Sequence, residues 1–96
     1  MPEYRLPIRV YIEDTDAGGI VYYVNYLKYF ERARTELIRS LGVDKTAVME
    51  DGSVFVVTSA SINYHAPARL DDQLESVAEV VSSGAATIEF RQSVVR

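Results

Sequence analysis

Three carboxylates lie within four residues near the N-terminus, at Glu13, Asp14 and Asp16, and a pair of glycines, Gly18 and Gly19, follows them. Two consecutive glycines let the main chain approach a ligand closely, because neither has a Cβ atom. A helix is predicted to begin soon after, and main-chain N–H groups at a helix N-terminus attract developing negative charge. A carboxylate beside such donors can act as a base or nucleophile on a carbonyl group that the donors polarise. A polar loop with solvated acids is the alternative that spacing alone leaves open.

A calcium loop is a second interpretation of the same segment. Asp14, Asp16 and Gly19 match positions 1, 3 and 6 of an EF-hand loop, but position 5 falls on Gly18 and position 12 on Asn25. Two ligands are therefore missing, and the preceding segment is predicted to be a strand where an EF-hand requires a helix. We predict no metal site, and we predict no cofactor because Walker A and G-x-G-x-x-G patterns are absent.

The residues for other catalytic classes are missing from the chain. There is no cysteine, which excludes disulfides, thiolate metal sites and a cysteine nucleophile. No G-x-S-x-G pattern provides a serine nucleophile. The single histidine, His65, precedes Ala66-Pro67 at a predicted strand end, and we interpret it as a structural or surface residue. Other enzymatic routes therefore lack parts that carboxylate chemistry does not need.

Composition and charge restrict the class of protein and its partners. The net charge of −4 does not suit a nucleic-acid-binding protein, whose affinity comes largely from neutralising phosphates. No apolar run approaches the roughly 18 residues of a membrane span, and residues 1–9 lack the apolar core of a signal peptide. We therefore expect a single domain over residues 1–96, located in the cytoplasm, that neither binds nucleic acid nor spans a membrane.

One segment carries a strong helical pattern. Asn25 is a candidate N-cap at its start, and Gly42 lies where a left-handed C-terminal cap is expected. A second, shorter helix is predicted from Asp44 to Gly52. The apolar residues of the long helix recur at steps of three and four, which places them on one face: Tyr26, Tyr29, Phe30, Ala33, Leu37 and Leu41.

The remaining segments alternate between apolar and polar residues, as half-buried strands do. The predicted strands are Leu6–Ile12, Val54–Tyr64, Gln73–Val81 and Ala85–Val95, with a hairpin turn at Ser82-Ser83-Gly84. One amphipathic helix laid on one face of a mostly antiparallel sheet is an α+β fold.

These same residues carry a resemblance to a known family. The segment VYIEDTDAGGIVY at 10–22 resembles the signature of the 4-hydroxybenzoyl-CoA thioesterase family of hotdog-fold enzymes. NYL at 25–27, FERARTE at 30–36 and YHAPARLDD at 64–72 continue it. The combination is most similar to the acyl-CoA thioesterase branch associated with the Tol-Pal cell-envelope system, and it extends over essentially the whole chain.

The resemblance implies a fold, a reaction and site residues. The hotdog fold wraps an antiparallel sheet around a long helix, and it assembles as homodimers or homotetramers with the active site between two subunits. The family's catalytic acid falls on Asp16, and Asp14 then has a structural role. The amide that polarises the thioester carbonyl falls near Tyr23, where many members of the branch have a histidine. The implied substrate is an acyl-CoA, or an acyl carrier protein thioester.

The resemblance also raises expectations about the end of the chain and about substrate binding. Family members continue for about one more strand beyond Arg96, so we expect a C-terminally shortened domain with an unpaired sheet edge. Arginines such as Arg69 and Arg91 are candidates for binding the CoA phosphates. Two other functions stay open: a non-catalytic thioester- or partner-binding module, and a dehydratase, for which His65 is a poorly placed candidate.

Overall fold

The computed structural model describes residues 2–42, 56–84 and 87–96. Within these residues the strands form one antiparallel sheet in the order β1-β2-β3, and the helix α1 packs against it. This arrangement confirms the predicted α+β class. None of the helices in the described ranges is long and apolar enough to cross a membrane. The elements in chain order are β1 (Glu3–Arg9), a short 3-10 helix (Ile12–Asp14), α1 (Asn25–Ser40), β2 (Gln73–Ser83) and β3 (Ile88–Val95).

The helix α1 follows the predicted periodicity. Tyr29, Ala33 and Leu37 recur every four residues and are buried against the sheet. The helix ends at Ser40, and Gly42 has a φ of +93°. This left-handed conformation is the one expected for a glycine just beyond a helix, because the absence of Cβ removes its steric penalty. The predicted C-terminal cap is therefore confirmed.

The central strand β2 connects the helix to the sheet. It pairs antiparallel with β1 on one side and with β3 on the other, with Leu6 opposite Ser76 in the first pair. Ser76 is fully buried, and its hydroxyl donates a hydrogen bond of 2.9 Å to the carbonyl oxygen of Tyr29 in the helix. A buried hydroxyl requires such a partner, and this bond fixes the position of α1 along the strand.

The buried side chains form two clusters. The first combines residues from the end of β1, the loop before α1, the helix and the start of β2, and it lies on the side of the acidic loop. The second lies further along α1 and the sheet. Each fully buried apolar side chain contributes about 1.5–3 kcal/mol relative to exposure. The first cluster contains Val10, Val21, Tyr29, Ala68 and Leu74, and the second contains Ala33, Leu37 and Ala78.

Two predicted segments differ from the structure or lie outside it. The strand predicted at Val54–Tyr64 is wrong for residues 56–64, which are not in a strand, and residues 54 and 55 lie outside the described ranges. Alternation shows which face of an extended segment is apolar, but it does not supply a neighbouring strand to pair with. The helix predicted from Asp44 to Gly52 also lies outside the described residues.

The ends of two other strands were also predicted imperfectly. The first strand ends at Arg9 rather than Ile12, because the chain turns into the 3-10 helix and leaves Ile12 exposed. The last strand begins at Ile88, and residues 85 and 86 are outside the described ranges. The strand predicted over Gln73–Val81 is confirmed and extends to Ser83.

Candidate active site

The acidic segment leads into a tight hairpin that carries Asp16 at the start of its turn. Thr15 and Val21 form an antiparallel bridge, and the Asp16 amide donates to the Ile20 carbonyl at 2.9 Å. The Asp16 carbonyl in turn accepts from the Gly19 amide at 3.1 Å, and Gly19 has a φ of +75°. Because both its N–H and its C=O are bonded within the turn, the main chain of Asp16 is fixed.

The carboxylate of Asp16 is exposed and only partly engaged. Its Oδ1 accepts a hydrogen bond of 2.8 Å from the Gly18 amide, while Oδ2 has no partner among the described residues. A Cβ atom at position 18 would lie 3.2 Å from that Oδ1. Glycine therefore leaves the space that the carboxylate occupies. The result is an acid with one oxygen oriented by the main chain and the other available to a ligand.

Asp14 is occupied by contacts within the protein. Its Oδ2 accepts from the Tyr11 amide at 2.9 Å, which closes the 3-10 helix. Its main-chain carbonyl accepts from the Tyr22 amide at 2.9 Å and from Nδ2 of Asn25 at 2.8 Å. These bonds connect the acidic segment to the segment that enters α1, and they support a structural role for Asp14.

Tyr29 lies in the core cluster on the same side of the molecule. Burial, and then the negative charge of Asp14, raise the pKa of the Tyr29 hydroxyl above its ordinary value. The hydroxyl oxygen has no hydrogen-bond partner in the part of the chain that the structure describes. The group therefore stays protonated at neutral pH, and it does not compete with Asp16 as a base.

Asn25 does not have the predicted capping role. Val24 occupies the N-cap position, and no side chain caps the helix there. Asn25 is instead the first residue of α1, and it is 8% exposed. Its side chain turns back to the Asp14 carbonyl rather than to the next turn of the helix. Residue type alone favours a cap, since Asn is common at that position, and the long-range bond could not be seen in the sequence.

The helix start leaves two amides available. The amides of residues 25, 26 and 27 donate to the carbonyl groups three residues earlier, at 2.8, 3.4 and 3.1 Å. The amides of Tyr23 and Val24 have no acceptor within the described ranges. Unsatisfied N–H groups at the entrance to a helix, together with the helix dipole, form a site for a negatively charged oxygen.

An open cleft of about 250 Å³ is lined in part by Tyr23. The Tyr64 ring meets the Tyr23 ring nearly at a right angle, with centroids 5.9 Å apart, and it also lies 5.7 Å from the Tyr26 ring. Tyr23 thus contributes an aromatic wall. Asp16 does not line the cleft, but the hydrogen bond between its amide and Ile20 connects it to a residue that does. The lining residues are Ile20, Val21, Tyr23, Tyr26, Tyr64, His65, Ala66 and Pro67.

Sequence reasoning missed Tyr64 as a site residue. It is separated from Tyr23 by 41 residues, and no spacing rule connects the two. His65 also lines the cleft, and among the residues that the structure describes no acidic residue lines it beside His65. Within the described ranges, no group of three or more His, Asp or Glu residues is placed to hold a metal ion.

The two arginines considered for phosphate binding have different environments. Arg91 forms an ion pair with Glu79, with a nitrogen–oxygen distance of 3.4 Å. Arg69 is exposed, forms an antiparallel bridge with Ile20 at the hairpin, and makes no ion pair with any residue that the structure describes. Its position favours Arg69 as a contact for an anionic ligand that reaches the cleft.

Comparisons with known proteins find a family match and several similar proteins. The sequence profile described as the thioesterase superfamily matches residues 18–96. The acyl-CoA thioester hydrolase YbgC of Escherichia coli is 46% identical over 92 residues, which cover 96% of this chain and 69% of that protein. The acyl-CoA thioesterase YbgC of Haemophilus influenzae is 46% identical over 94 residues, with 97% and 69% covered.

Solved structures show the same fold. The crystal structure of a probable thioesterase from Bartonella henselae superposes with a TM-score of 0.84 at 32% identity, covering 98% of this chain and 76% of that one. A protein from Aquifex aeolicus described as hypothetical superposes with a TM-score of 0.77 at 32% identity, with 97% and 82% covered. From the profile match, the relatives and these structures, the chain belongs to the thioesterase superfamily and has its hotdog fold.

Proposed function

We propose that the protein hydrolyses an acyl-CoA thioester to the free acid and CoA, with Asp16 as the catalytic carboxylate. The observation that carries this proposal is the state of Asp16: one carboxylate oxygen is held by the Gly18 amide at 2.8 Å and the other is available. The two YbgC relatives are named as acyl-CoA thioesterases, which supports acyl-CoA as the substrate class. An acyl carrier protein thioester has the same reacting bond and is a second possible substrate.

The proposed reaction adds an oxygen nucleophile to the thioester carbonyl and expels the thiolate of CoA. Asp16 serves either as that nucleophile, forming an anhydride that water then hydrolyses, or as a general base that removes a proton from the attacking water. In both routes the carbonyl oxygen becomes negatively charged. In this proposal the amides of Tyr23 and Val24 stabilise that charge, and removing one such donor typically costs about 10²–10³ in kcat.

We further propose that the aromatic cleft receives the acyl group and that Arg69 contacts a CoA phosphate. Apolar and aromatic walls with a few polar groups are typical of small-molecule sites. Arg69 lies across the bridge from Ile20, which itself lines the cleft, so a single ligand can reach both. The net charge of −4 does not attract CoA to the protein over long range, which makes a local cation necessary.

A second copy of the chain is proposed to complete the site. Tyr11 and Ile12, which flank the acidic segment, are 61% and 76% exposed. Neighbouring apolar side chains at the surface indicate an interaction site, and two-fold dimers are the commonest homo-oligomers. We propose a homodimer or homotetramer in the cytoplasm, and a place in the Tol-Pal-associated branch is supported by the identity to YbgC.

The test is release of free thiol from short, long and aromatic acyl-CoAs by wild type and by Asp16→Asn. We expect Asp16→Asn to lose turnover while it keeps the fold and the oligomer, because the amide removes charge with little change in volume. Glu13→Gln is the matched control, since Glu13 is an exposed acid in the same segment. Activity of Asp16→Asn within a few-fold of wild type would remove Asp16 from the mechanism. Binding of acyl-CoA by wild type without thiol release would favour a non-catalytic module.

A further inference from the structure

The side chain of Asn25 makes a buried hydrogen bond between the two parts of the proposed site. Its Nδ2 donates to the main-chain carbonyl of Asp14 at 2.8 Å, across 11 residues of sequence. The same carbonyl also accepts from the Tyr22 amide at 2.9 Å. Both lone pairs of one carbonyl oxygen are therefore used to join the acidic segment to the chain that enters α1.

The acceptor and donor residues of this hydrogen bond are close in sequence to the groups that the proposed reaction needs. The acceptor precedes Asp16 by two residues, and the donor follows Tyr23 by two residues. Asp16 is fixed to its own hairpin by bonds to residues 18, 19 and 20, but those bonds do not reach the helix start. The Asn25 bond is a contact through a side chain that connects the two segments.

We propose that Asn25 is a positioning residue, which sets the distance between the Asp16 carboxylate and the amides of Tyr23 and Val24. A carboxylate and an oxyanion donor are effective only when both reach the same thioester carbonyl, and a misplacement of about 1 Å can cost about 10²-fold in rate. This inference rests on the proposed function, and Asn25 acts through Asp14 rather than on the substrate.

If Asn25 only stabilised the fold, its substitution would act like the loss of any other buried hydrogen bond. The buried bond of Ser76 provides that comparison. Its hydroxyl is also buried and also donates to a main-chain carbonyl, that of Tyr29, at 2.9 Å. That bond joins β2 to the helix about one turn beyond its start, and it involves neither the hairpin nor the amides of Tyr23 and Val24. Ser76→Ala therefore removes a comparable bond without disturbing the geometry of the site.

The experiment compares kcat, KM and Tm of wild type, Asn25→Leu and Ser76→Ala in the thiol-release assay. Leucine has the same number and branching of side-chain heavy atoms as asparagine, although it is bulkier, and it has no donor. We expect Asn25→Leu to lower kcat by about 10- to 100-fold with KM within about threefold, the pattern of an interaction that acts in the transition state. Ser76→Ala is expected to lower Tm and to retain kcat within about threefold.

In the variant Asn25→Asp, lowering the pH should restore the hydrogen bond to the Asp14 carbonyl and with it kcat. At neutral pH its carboxylate faces the Asp14 carbonyl as a second acceptor, whereas the protonated carboxyl group regains an O–H donor. Burial raises the pKa of such an acid, so protonation begins within the range in which the assay is run. We expect the ratio of variant to wild-type kcat to rise as the pH falls from 8 to 5. If Asn25→Leu does not fold, this ratio decides the matter, and a flat ratio overturns the proposal.

Other outcomes separate this inference from the proposed function. If Asp16→Asn is inactive but Asn25→Leu keeps kcat within about threefold of wild type, only the positioning role is overturned. An equal loss of kcat in Asn25→Leu and Ser76→Ala also overturns it, because the effect is then one of general stability. If wild type releases no thiol, or Asp16→Asn is as active as wild type, the proposed function fails and this inference fails with it.

Discussion

The hydroxyl of Tyr64 donates a hydrogen bond to the main-chain carbonyl of Tyr23 at 3.3 Å, while their rings meet edge to face. Tyr64 belongs to a segment that is not in a strand, and Tyr23 lies at the entrance to α1. The contact therefore attaches that segment to the helix start and gives the cleft its aromatic wall. The ring accounts for most of this contact, since a bond of 3.3 Å is long for an O–H donor.

Tyr64→Ala is expected to raise KM for acyl-CoA, whereas Tyr64→Phe is expected to leave it nearly unchanged. An edge-to-face aromatic pair is worth about 0.5–1.5 kcal/mol, which corresponds to an increase in KM of about 2- to 10-fold. Steady-state thiol release with one acyl-CoA measures both variants. Equal increases in KM for Phe and Ala would assign the effect to the hydroxyl and contradict this account.

Asp14→Asn is expected to be much milder than Asp16→Asn. The amide oxygen of asparagine can still accept from the Tyr11 amide, although a bond to a neutral group is weaker than one to a charged group by about 1 kcal/mol. We expect a lower Tm with retained turnover, measured by thermal melting and by thiol release. A loss of kcat equal to that of Asp16→Asn would show that the two acids act as a pair or that the catalytic acid is Asp14.

Arg69→Gln is expected to raise KM for acyl-CoA by about two- to fivefold without changing kcat, because an exposed ion pair contributes at most about 1 kcal/mol. Added salt should raise KM of wild type more than KM of the variant, since salt screens the same interaction. Arg91→Gln is the matched control, because Arg91 is already paired with Glu79. Equal effects of the two substitutions would leave Arg69 without a specific role.

Stability is expected to depend on Asp72 at acid pH. The Arg69 amide, which donates to the carboxylate at 2.9 Å, and Arg96 hold the pKa of Asp72 below its ordinary value. Because the native pKa is depressed, the stabilisation is present above the unfolded pKa of about 3.9 and is lost as the pH falls through the native value.

The corresponding measurement compares the Tm of wild type and Asp72→Asn over a range of pH. Wild type is expected to melt at the higher temperature at pH 7, and the difference should close as the pH falls below the depressed native pKa of Asp72, where both side chains are neutral. A difference in Tm that is independent of pH would show that the carboxylate charge has no part in it.

Assembly is expected to be necessary for activity, because the proposed site includes a second copy of the chain. Light scattering at micromolar concentration should give a dimer or tetramer. A polar substitution of the exposed Ile12, such as Ile12→Lys, should shift the mass toward the monomer and lower kcat together with it. A single species of monomer mass with full thioesterase activity contradicts both the assembly and the shared site.

The elements with a strong internal period could be predicted from the sequence. The helix and the two strands after residue 73 follow from the spacing of their apolar residues, and the left-handed Gly42 follows from its residue type. The alternating pattern at Val54–Tyr64 could not show by itself that the segment is a strand. A strand exists only when another strand pairs with it, and the pattern does not identify that partner.

The candidate site was predictable only in part. Asp16 was identified by the glycines that follow it and by the family resemblance. The hydrogen bond from the Gly18 amide to its carboxylate is compatible with a catalytic role, which stays a prediction. The bond from Asn25 to Asp14 and the contact from Tyr64 to Tyr23 join residues that are distant in sequence. Such contacts depend on how the loops pack against the helix, and no local pattern encodes them.

The main-chain hydrogen bonds of residues 68–72, just before β2, have a consequence for how the site unfolds locally. The amide of Val21 donates to Ala68, that of Val10 donates to Asp72, and that of Asp71 donates back to Val10. The acid-bearing hairpin, the cleft wall and the end of β1 therefore share one set of main-chain bonds over the first core cluster. Such a unit is expected to unfold locally as a whole, so hydrogen exchange of its amides should give one common free energy of opening. Moderate heating should then inactivate the enzyme by opening this unit while the second cluster, around Leu37, is still folded.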